Sequence, residues 1–241
     1  MAAVVVLAVL VVAGVFNSGT SGSSVPDGTP AAYSNAVAAA IRTENTVTGA
    51  PWVVVAGIGV DVSSGISQPN AGSFVGNGCT YTAPPGASTT ATVLGTPSNA
   101  TPGKVATWIF FAKNAPGNEV LMMIVNNGNA TPADIVTGCS GVSTFAAEGG
   151  ITAANVIDST AVATEFDASG GSGFLANYTS VTELFVILGN SSSWGDYPVW
   201  EASYTTCSLL AVGGTGSFLV AYYHADSGSL LQGPLSTQHS C

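Results

Sequence analysis

The chain has two histidines, and neither lies in a pattern typical of a catalytic site. His224 follows an apolar, strand-like run and precedes the turn residues Asp226-Ser227-Gly228, and His239 lies close to the last residue of the sequence. A serine hydrolase needs a histidine beside an activated serine, and the sequence contains no G-x-S-x-G elbow. Two isolated histidines and dispersed cysteines also make a poor zinc set. We therefore interpret His224 as a polar residue at the end of a strand.

Acidic residues near the end of the predicted helix 159–167 and on either side of the predicted Trp200 strand are the remaining candidates for acid–base chemistry. They form two pairs, Glu165 with Asp167 and Asp196 with Glu201. A glycosidase needs two carboxylates on opposing sides of a sugar, and three nearby aromatic residues have the type that stacks on sugars: Trp194, Tyr197 and Trp200. Aromatic residues on a half-buried strand more often belong to a core or an interface. The sequence therefore favours a protein that is not an enzyme.

A second motif, Gly57-x-Gly59, resembles the start of a dinucleotide-binding loop. The third glycine is missing, because Val62 stands in its place, and Ser63-Ser64-Gly65 follows where a helix should begin. We interpret the motif as a strand with close backbone packing. No metal or cofactor is indicated by any motif in the sequence.

The charge composition argues against a nucleic-acid partner. Charged residues make up 7% of the chain, and only three residues are basic. With so few cations the protein cannot neutralise a row of phosphates, and its formal net charge is −10. The low charge instead indicates a neutral surface that is rich in Ser, Thr, Asn and Gly.

Cysteines and glycosylation sequons indicate a location outside the cytoplasm, extracellular or at the cell surface. The cysteines are Cys79, Cys139, Cys207 and Cys241. Their even number and the lack of a C-x-x-C pair favour disulfides, of which three pairings are open. Candidate glycosylation sites, each opening an N-x-[ST] sequon, are Asn99, Asn129, Asn177 and Asn190.

Residues 1–16 are an apolar segment, MAAVVVLAVLVVAGVF, and residues 17–30 are a polar, flexible linker. The segment lacks the basic residues of a signal peptide. As a helix it would extend only about 24 Å, which is short for a membrane span. We expect an assembly element that packs against copies of the same protein, or a membrane anchor. A helix is favoured, and the valine-rich sequence leaves an inserted donor strand open.

The order of predicted elements indicates an α+β fold, mostly antiparallel β, with two related helix-plus-sheet halves. The first half, residues 31–145, contains a helix at 31–43 and strands at 52–62, 105–112 and 119–126. The second half, residues 146–241, contains a helix at 159–167 with Ser159 as N-cap, strands at 182–188, 199–204, 209–212 and 218–223, and a turn at 213–216. Each half contains two cysteines. If the halves are repeats, Cys79 pairs with Cys139 and Cys207 pairs with Cys241.

The second half resembles the end of a PepSY-type module. The resemblance is carried by Trp200-Glu201-Ala202-Ser203-Tyr204 and by the run from Phe218 to Leu231, which includes Asp226-Ser227-Gly228. Such modules place one helix on a curved antiparallel sheet, with a tryptophan-led strand and a closing strand that ends in an Asp-x-x-Gly-like turn. The resemblance implies a membrane-tethered extracytoplasmic module with a binding or inhibitory role and no chemistry of its own.

The layout of the whole chain is similar to archaeal-type pilins and related filament proteins. It combines the apolar segment, the flexible joint and a low-charge, sequon-bearing β-rich head. The resemblance implies a non-enzymatic structural subunit of a surface filament whose partners are copies of itself. Low charge fits this function, because polymer contacts bury large surfaces where unpaired charges are costly. The PepSY-like module is the alternative, and a carbohydrate-active enzyme is the third hypothesis.

Overall fold

The computed structural model describes residues 30–44, 52–61, 78–84, 101–114, 116–179, 181–189, 195, 197–207 and 215–240. The apolar segment 1–16 and residues 17–29 of the linker lie outside these ranges. The choice between a helix and a donor strand for residues 1–16 therefore stays a prediction.

The described residues form four α-helices and nine β-strands. The helices are α1 (Tyr33–Glu44), α2 (Ser140–Ala147), α3 (Ser159–Phe166) and α4 (Ser172–Asn177), with a 3-10 turn at Ala153–Asn155 and a π-helical turn at Asp167–Gly171. The strands are β1 (Trp52–Asp61), β2 (Thr80–Thr82), β3 (Thr107–Asn114), β4 (Glu119–Asn126), β5 (Asn129–Thr137), β6 (Thr182–Leu188), β7 (Val199–Thr205), β8 (Thr215–His224) and β9 (Leu230–Ser240).

The strands form one sheet with the order β2-β5-β4-β3-β1-β6-β7-β8-β9. Every pair of neighbouring strands is antiparallel. At the centre of the sheet β1 meets β6, with Ile58 opposite Val186. The predicted α+β fold with a mostly antiparallel sheet is confirmed.

One face of the sheet carries α1, α3 and α4 over an aromatic core. α1 buries Tyr33, Ala36, Val37 and Ala40, the i, i+3, i+4, i+7 spacing of an amphipathic helix. Its Tyr33 ring lies 5.7 Å from the ring of Trp108 and 5.1 Å from the ring of Trp200. Because one tryptophan comes from β3 and the other from β7, this tyrosine joins the cores of both halves.

The opposite face carries α2 over β3 and β4. Val142 of α2 is buried in a second apolar cluster there, and the Phe145 ring stacks on Phe111 at 4.5 Å. A disulfide between Cys79 and Cys139 holds the residue before β2 against the residue before α2. The bridge spans 60 residues of sequence and closes a loop that contains β2, β3, β4 and β5.

The two halves share one order of elements, apart from the short strand β2 and the helices α2 and α4. Each half runs from a helix into four strands that lie side by side in chain order, namely α1-β1-β3-β4-β5 and α3-β6-β7-β8-β9. A tryptophan makes the same bond in each half. The Trp108 indole N–H donates to the carbonyl of Ala31 at 2.9 Å, and that of Trp200 donates to the carbonyl of Ile157 at 3.2 Å. Each carbonyl lies two residues before its helix.

The fourth strand of each half, β5 or β9, is missing from the sequence-based prediction. Each contains a proline, and proline is normally excluded from a strand interior. Pro132 lies opposite Met123 beside a register shift in β4, and Pro234 lies near the shift between Val220 and Tyr222 in β8. The pairing is already irregular at these points, so each strand continues past its proline.

Two local predictions are wrong. Asp158, and not Ser159, is the N-cap residue of α3. The Ser159 hydroxyl instead accepts a hydrogen bond from the Tyr33 N–H at 2.9 Å and donates one to the carbonyl of Gly103 at 2.7 Å. Its hydrogen bonds are therefore made to residues distant in sequence and not to the backbone of α3. The predicted turn at 213–216 ends earlier, because β8 begins at Thr215. The strand predicted at 209–212 lies outside the described residues.

Candidate functional site

His224 is the last residue of β8, at a strand end as the sequence indicates. Its ring packs on the ring of Tyr197 with the centroids 4.6 Å apart. Its backbone N–H donates to the carbonyl of Ser229 at 2.9 Å, and its carbonyl accepts from the N–H of Gly228 at 2.8 Å. These contacts close the turn between β8 and β9. The side chain of His239 lies outside the described residues.

The sheet separates the acidic residues that the sequence offers for acid–base chemistry. Asp167 lies on the helix-covered face, where it accepts a hydrogen bond from the Tyr204 hydroxyl at 2.8 Å. Glu165 lies exposed on α3. Glu201 is three residues before Tyr204 on β7, so the alternation of side chains places it on the opposite face. Neither Glu165 nor Asp167 can therefore share a substrate with Glu201; Asp196 lies outside the described residues.

Glu201 is a buried carboxyl, 3% exposed. Its register partners are Val186 on β6 and Tyr222 on β8, and Ser203 follows on the same face. Burial raises the pKa of Glu201 to about 8, and the interaction with the Tyr222 hydroxyl offsets only part of that rise. Burial first, and then the neighbouring Glu201, raise the pKa of Tyr222. At neutral pH Glu201 therefore holds a proton and carries little charge.

Sequence reasoning singled out Glu201 but missed its neighbours. Ser203 and Tyr222 lie within the two runs that carry the PepSY-like resemblance, and that resemblance assigns no chemistry to either residue. The Ser203 hydroxyl is buried and makes no hydrogen bond with the described residues. Only the register between β7 and β8 shows that Tyr222 faces the carboxyl, and register depends on strand pairing that the sequence leaves open.

The Gly57-x-Gly59 motif lies inside β1 and serves packing. A Cβ atom on Gly59 would lie 2.7 Å from the Trp108 ring, and one on Gly57 would lie 2.8 Å from the Phe110 ring. Such approaches are closer than carbon atoms tolerate. The prediction of a strand with close backbone packing is confirmed.

The aromatic residues considered for sugar stacking take other positions. Trp200 is fully buried in the core beneath the helices. Tyr197 packs on the ring of His224, and Trp194 lies outside the described residues. Trp200 is therefore part of the core, as expected for an aromatic residue on such a strand.

The structure confirms one of the two predicted disulfides, Cys79–Cys139. Cys207 is also disulfide-bonded, and Cys241 lies outside the described residues. Asn129 and Asn177 are both exposed, and the Asn177 side-chain amide donates to the carbonyl of Gly173 at 2.9 Å. Asn99 and Asn190 lie outside the described residues, so glycosylation stays a prediction.

β9 gives the sheet a long edge among the described strands. At the opposite edge β2 has three residues, whereas β9 has eleven and pairs with β8 on one side. The first part of β9 is irregular, because Pro234 and the register shifts next to Tyr222 interrupt its pairing. From Leu235 to Ser240 the pairing with β8 is regular. We call the stretch Leu235–Ser240 the open edge.

No protein-family model, curated protein or solved structure matches this chain. Across the described ranges, no helix is long and apolar enough to cross a membrane. The same ranges contain no group of three or more His, Cys, Asp or Glu side chains that could hold a metal ion.

The open edge lacks the charges with which natural edge strands prevent pairing. Its sequence, LSTQHS, contains no Asp, Glu, Lys or Arg. Leu235 is 41% exposed, and its register partner Val220 belongs to an apolar cluster with Phe218 and Tyr222. Leu235 thus lies beside this cluster at the rim of the sheet. An additional strand at the edge would cover Leu235 and bond to the backbone groups on the outer side of β9.

Proposed function

We propose that this protein is a non-enzymatic extracellular structural protein, a subunit of a surface filament or pilus-like assembly whose copies associate by strand addition at the open edge. The observation that carries the proposal is β9, an eleven-residue edge strand without a charged residue. A long, uncharged edge is a template for pairing with another chain. Proteins that remain monomeric commonly blunt such edges, as the three-residue β2 does at the other side of this sheet.

The charged residues of the chain lie outside the open edge. The formal net charge of −10 makes two copies repel each other at long range. No charged side chain lies on β9, so a strand added there leaves no ion of this strand buried and unpaired. Self-association at β9 therefore avoids the cost that a charged surface would impose.

The disulfide supports an extracellular location. The Cys79–Cys139 bridge indicates an oxidising environment. Asn129 and Asn177 are exposed, as oligosaccharide attachment would require. These features fit the pilin-like layout, in which a disulfide-bonded head faces the solvent.

We also infer that the two halves are repeats of one helix-plus-sheet unit. The matching indole bonds of Trp108 and Trp200, each to a carbonyl two residues before a helix, support this inference. So does the position of Pro132 and Pro234, each beside a register shift in the fourth strand of its half. Two units joined through β1 and β6 leave β9 as the outermost strand of the second unit.

Size-exclusion chromatography with light scattering and electron microscopy of the full-length protein test the proposal. The variant L235K/T237K places two lysines on one face of the open edge, where both wild-type side chains are exposed. Lysine on an edge strand opposes pairing, so we expect the variant to lose the assembled fraction. The matched control is A161K, an exposed position on α3, which should assemble like the wild type.

A monodisperse wild-type monomer in every condition would overturn the proposal. Filaments that persist unchanged in L235K/T237K would show that assembly does not use the open edge. A stable monomer would instead favour the alternative function, a membrane-tethered binding or inhibitory module. That alternative is favoured by one observation, the packing of a helix on an antiparallel sheet in each half, which the PepSY-like resemblance implies.

A further inference from the structure

We propose that the strand added at the open edge is the apolar segment, residues 1–16, of a neighbouring copy. This inference rests on the proposed assembly and names the partner of the edge. Each copy would then present one accepting edge and donate one segment. Such a head-to-tail contact is heterologous, and repeated without closure it produces an open filament.

The composition of the segment suits strand addition. Seven of its sixteen residues are valine, and β-branched residues favour strands. The segment contains no charged residue and no proline, so every backbone N–H after the first residue can donate to a neighbouring strand. Neither the segment nor β9 would bury a charge on pairing.

The change from buried side chains on β8 to exposed side chains on β9 also suits an apolar donor strand. β8 is buried on both faces from Gly216 to Tyr223, whereas Leu235 to Gln238 of β9 are exposed. A donor strand beside β9 would place alternate side chains next to Leu235 on one face and next to Ser236 on the other. Since the segment is apolar at consecutive positions, it can extend the apolar cluster of Phe218, Val220 and Tyr222 past the rim in either register.

The lengths allow the donation. The open edge has six residues, which extend about 20 Å in a strand, and the sixteen-residue segment exceeds this. Residues 17–29 of the linker can span up to about 45 Å when extended. Ala31 is fixed by backbone hydrogen bonds with Val105 near the start of β3. The linker can therefore carry the segment beyond the sheet of its own copy to the edge of the next.

Cysteine cross-linking of the full-length protein tests this assignment. One set of variants carries a single added cysteine at one position from Ala8 to Val12, and the second variant is T237C. No described cysteine is free to interfere. After the two variants are mixed and mildly oxidised, we expect heterodimers on non-reducing gels. Their yield should peak at every second scanned position, because alternate residues of a strand share a face.

Three results would overturn the assignment. Homodimers of T237C alone would show that β9 of a second copy occupies the edge. An internal disulfide in a chain carrying both cysteines, without heterodimers in the mixture, would show that each copy fills its own edge. Filaments without any cross-link would be compatible with assembly at the open edge and would show that residues 1–16 do not occupy it. The proposed assembly and the proposed donor segment can therefore fail separately.

A second variant distinguishes a donated strand from a helical bundle. Replacing the seven valines of the segment with leucine keeps the segment apolar but favours a helix over a strand. We expect the heterodimer yield and the assembled fraction to fall. A bundle of N-terminal helices would assemble at least as well as the wild type, and that outcome would contradict the donor strand.

Discussion

Two buried carboxyl groups make the stability of this protein depend on pH. Burial raises the pKa of Glu201 to about 8 and the pKa of Glu44 to about 7, and the bond from the Trp52 backbone lowers the latter by a smaller amount. Their ordinary value is 4.5. Between about pH 4.5 and 8 the folded state therefore binds more protons than the unfolded state. The free energy of unfolding is highest at acidic pH and falls as the pH rises through this window.

The substitution Glu201→Gln should remove the larger part of this dependence. Glutamine keeps the shape of a protonated glutamate and does not ionise, so the variant should be more stable than the wild type above about pH 8. The wild-type slope should reach about 1.4 kcal/mol per pH unit for each titrating carboxyl. Urea unfolding followed by circular dichroism from pH 4 to 9 measures the free energy of unfolding and its slope against pH.

The control for this experiment is Glu165→Gln, an exposed position on α3. This variant removes a surface carboxyl and leaves both buried carboxyls in place. The double variant Glu44→Gln/Glu201→Gln should give a flatter profile than Glu201→Gln alone, because burial acts on both groups in the same direction. A wild-type profile that rises with pH over this window would contradict the sign of the argument.

At the scale of elements, two glycines of β1 leave room for the aromatic rings of its neighbour in the sheet, β3. Gly59→Ala would drive a methyl group into the Trp108 ring, 2.7 Å away. We expect a loss of about 1–3 kcal/mol in the free energy of unfolding, the usual cost of overpacking a core. Chemical denaturation measures this loss, and Trp108→Phe in the same chain should recover part of it, since a smaller ring leaves room.

Gly173→Ala is the matched control for Gly59→Ala, because it adds the same methyl group at an uncrowded position. This glycine lies on α4, and a Cβ atom there would meet nothing within 4 Å. Gly173→Ala should therefore stabilise the protein by about 1 kcal/mol through helix propensity. A Gly59→Ala variant as stable as the wild type would show that the Trp108 ring moves aside freely.

Elements with a regular apolar period could be predicted from the sequence, and those set by tertiary partners could not. α1 follows from the spacing of Tyr33, Ala36, Val37 and Ala40, and β4 follows from its uninterrupted apolar run. The sequence does not indicate β5 and β9, because each contains a proline, and proline fits a strand only where the neighbouring register is already irregular.

The candidate site is less predictable than the elements, because it also depends on tertiary pairing. Glu201 could be identified by residue type, but its distance from Asp167 depends on which face of β7 each one uses. The open edge depends on β9, which the sequence did not indicate, and on the position of β9 in the strand order. Strand order is set by long-range pairing, and no local pattern encodes it.

At the scale of the whole molecule, contacts join the two halves into one unit. β1 and β6 pair over six residues at the centre of the sheet. Tyr33 from the first half packs on Trp200 from the second, and its backbone N–H donates to the Ser159 hydroxyl at 2.9 Å. Each half therefore completes part of the core of the other.

We expect the halves to unfold together in a single cooperative transition, because neither half has a complete core without Tyr33 and the β1–β6 pairing. Fluorine NMR of protein labelled with 5-fluorotryptophan measures this, since Trp108 reports on the first half and Trp200 on the second. The variants Trp108→Phe and Trp200→Phe assign the two signals. Both should lose their native intensity at the same urea concentration.

A destabilising change in one half sharpens the test. Gly59→Ala perturbs the first half at the Trp108 ring, and in a cooperative molecule it should shift the midpoints of both fluorine signals by the same amount. If the Trp108 signal shifts while the Trp200 signal keeps its wild-type midpoint, the halves are independent domains that share only a sheet edge. Coincident shifts would mean that the two halves fold as one cooperative structure.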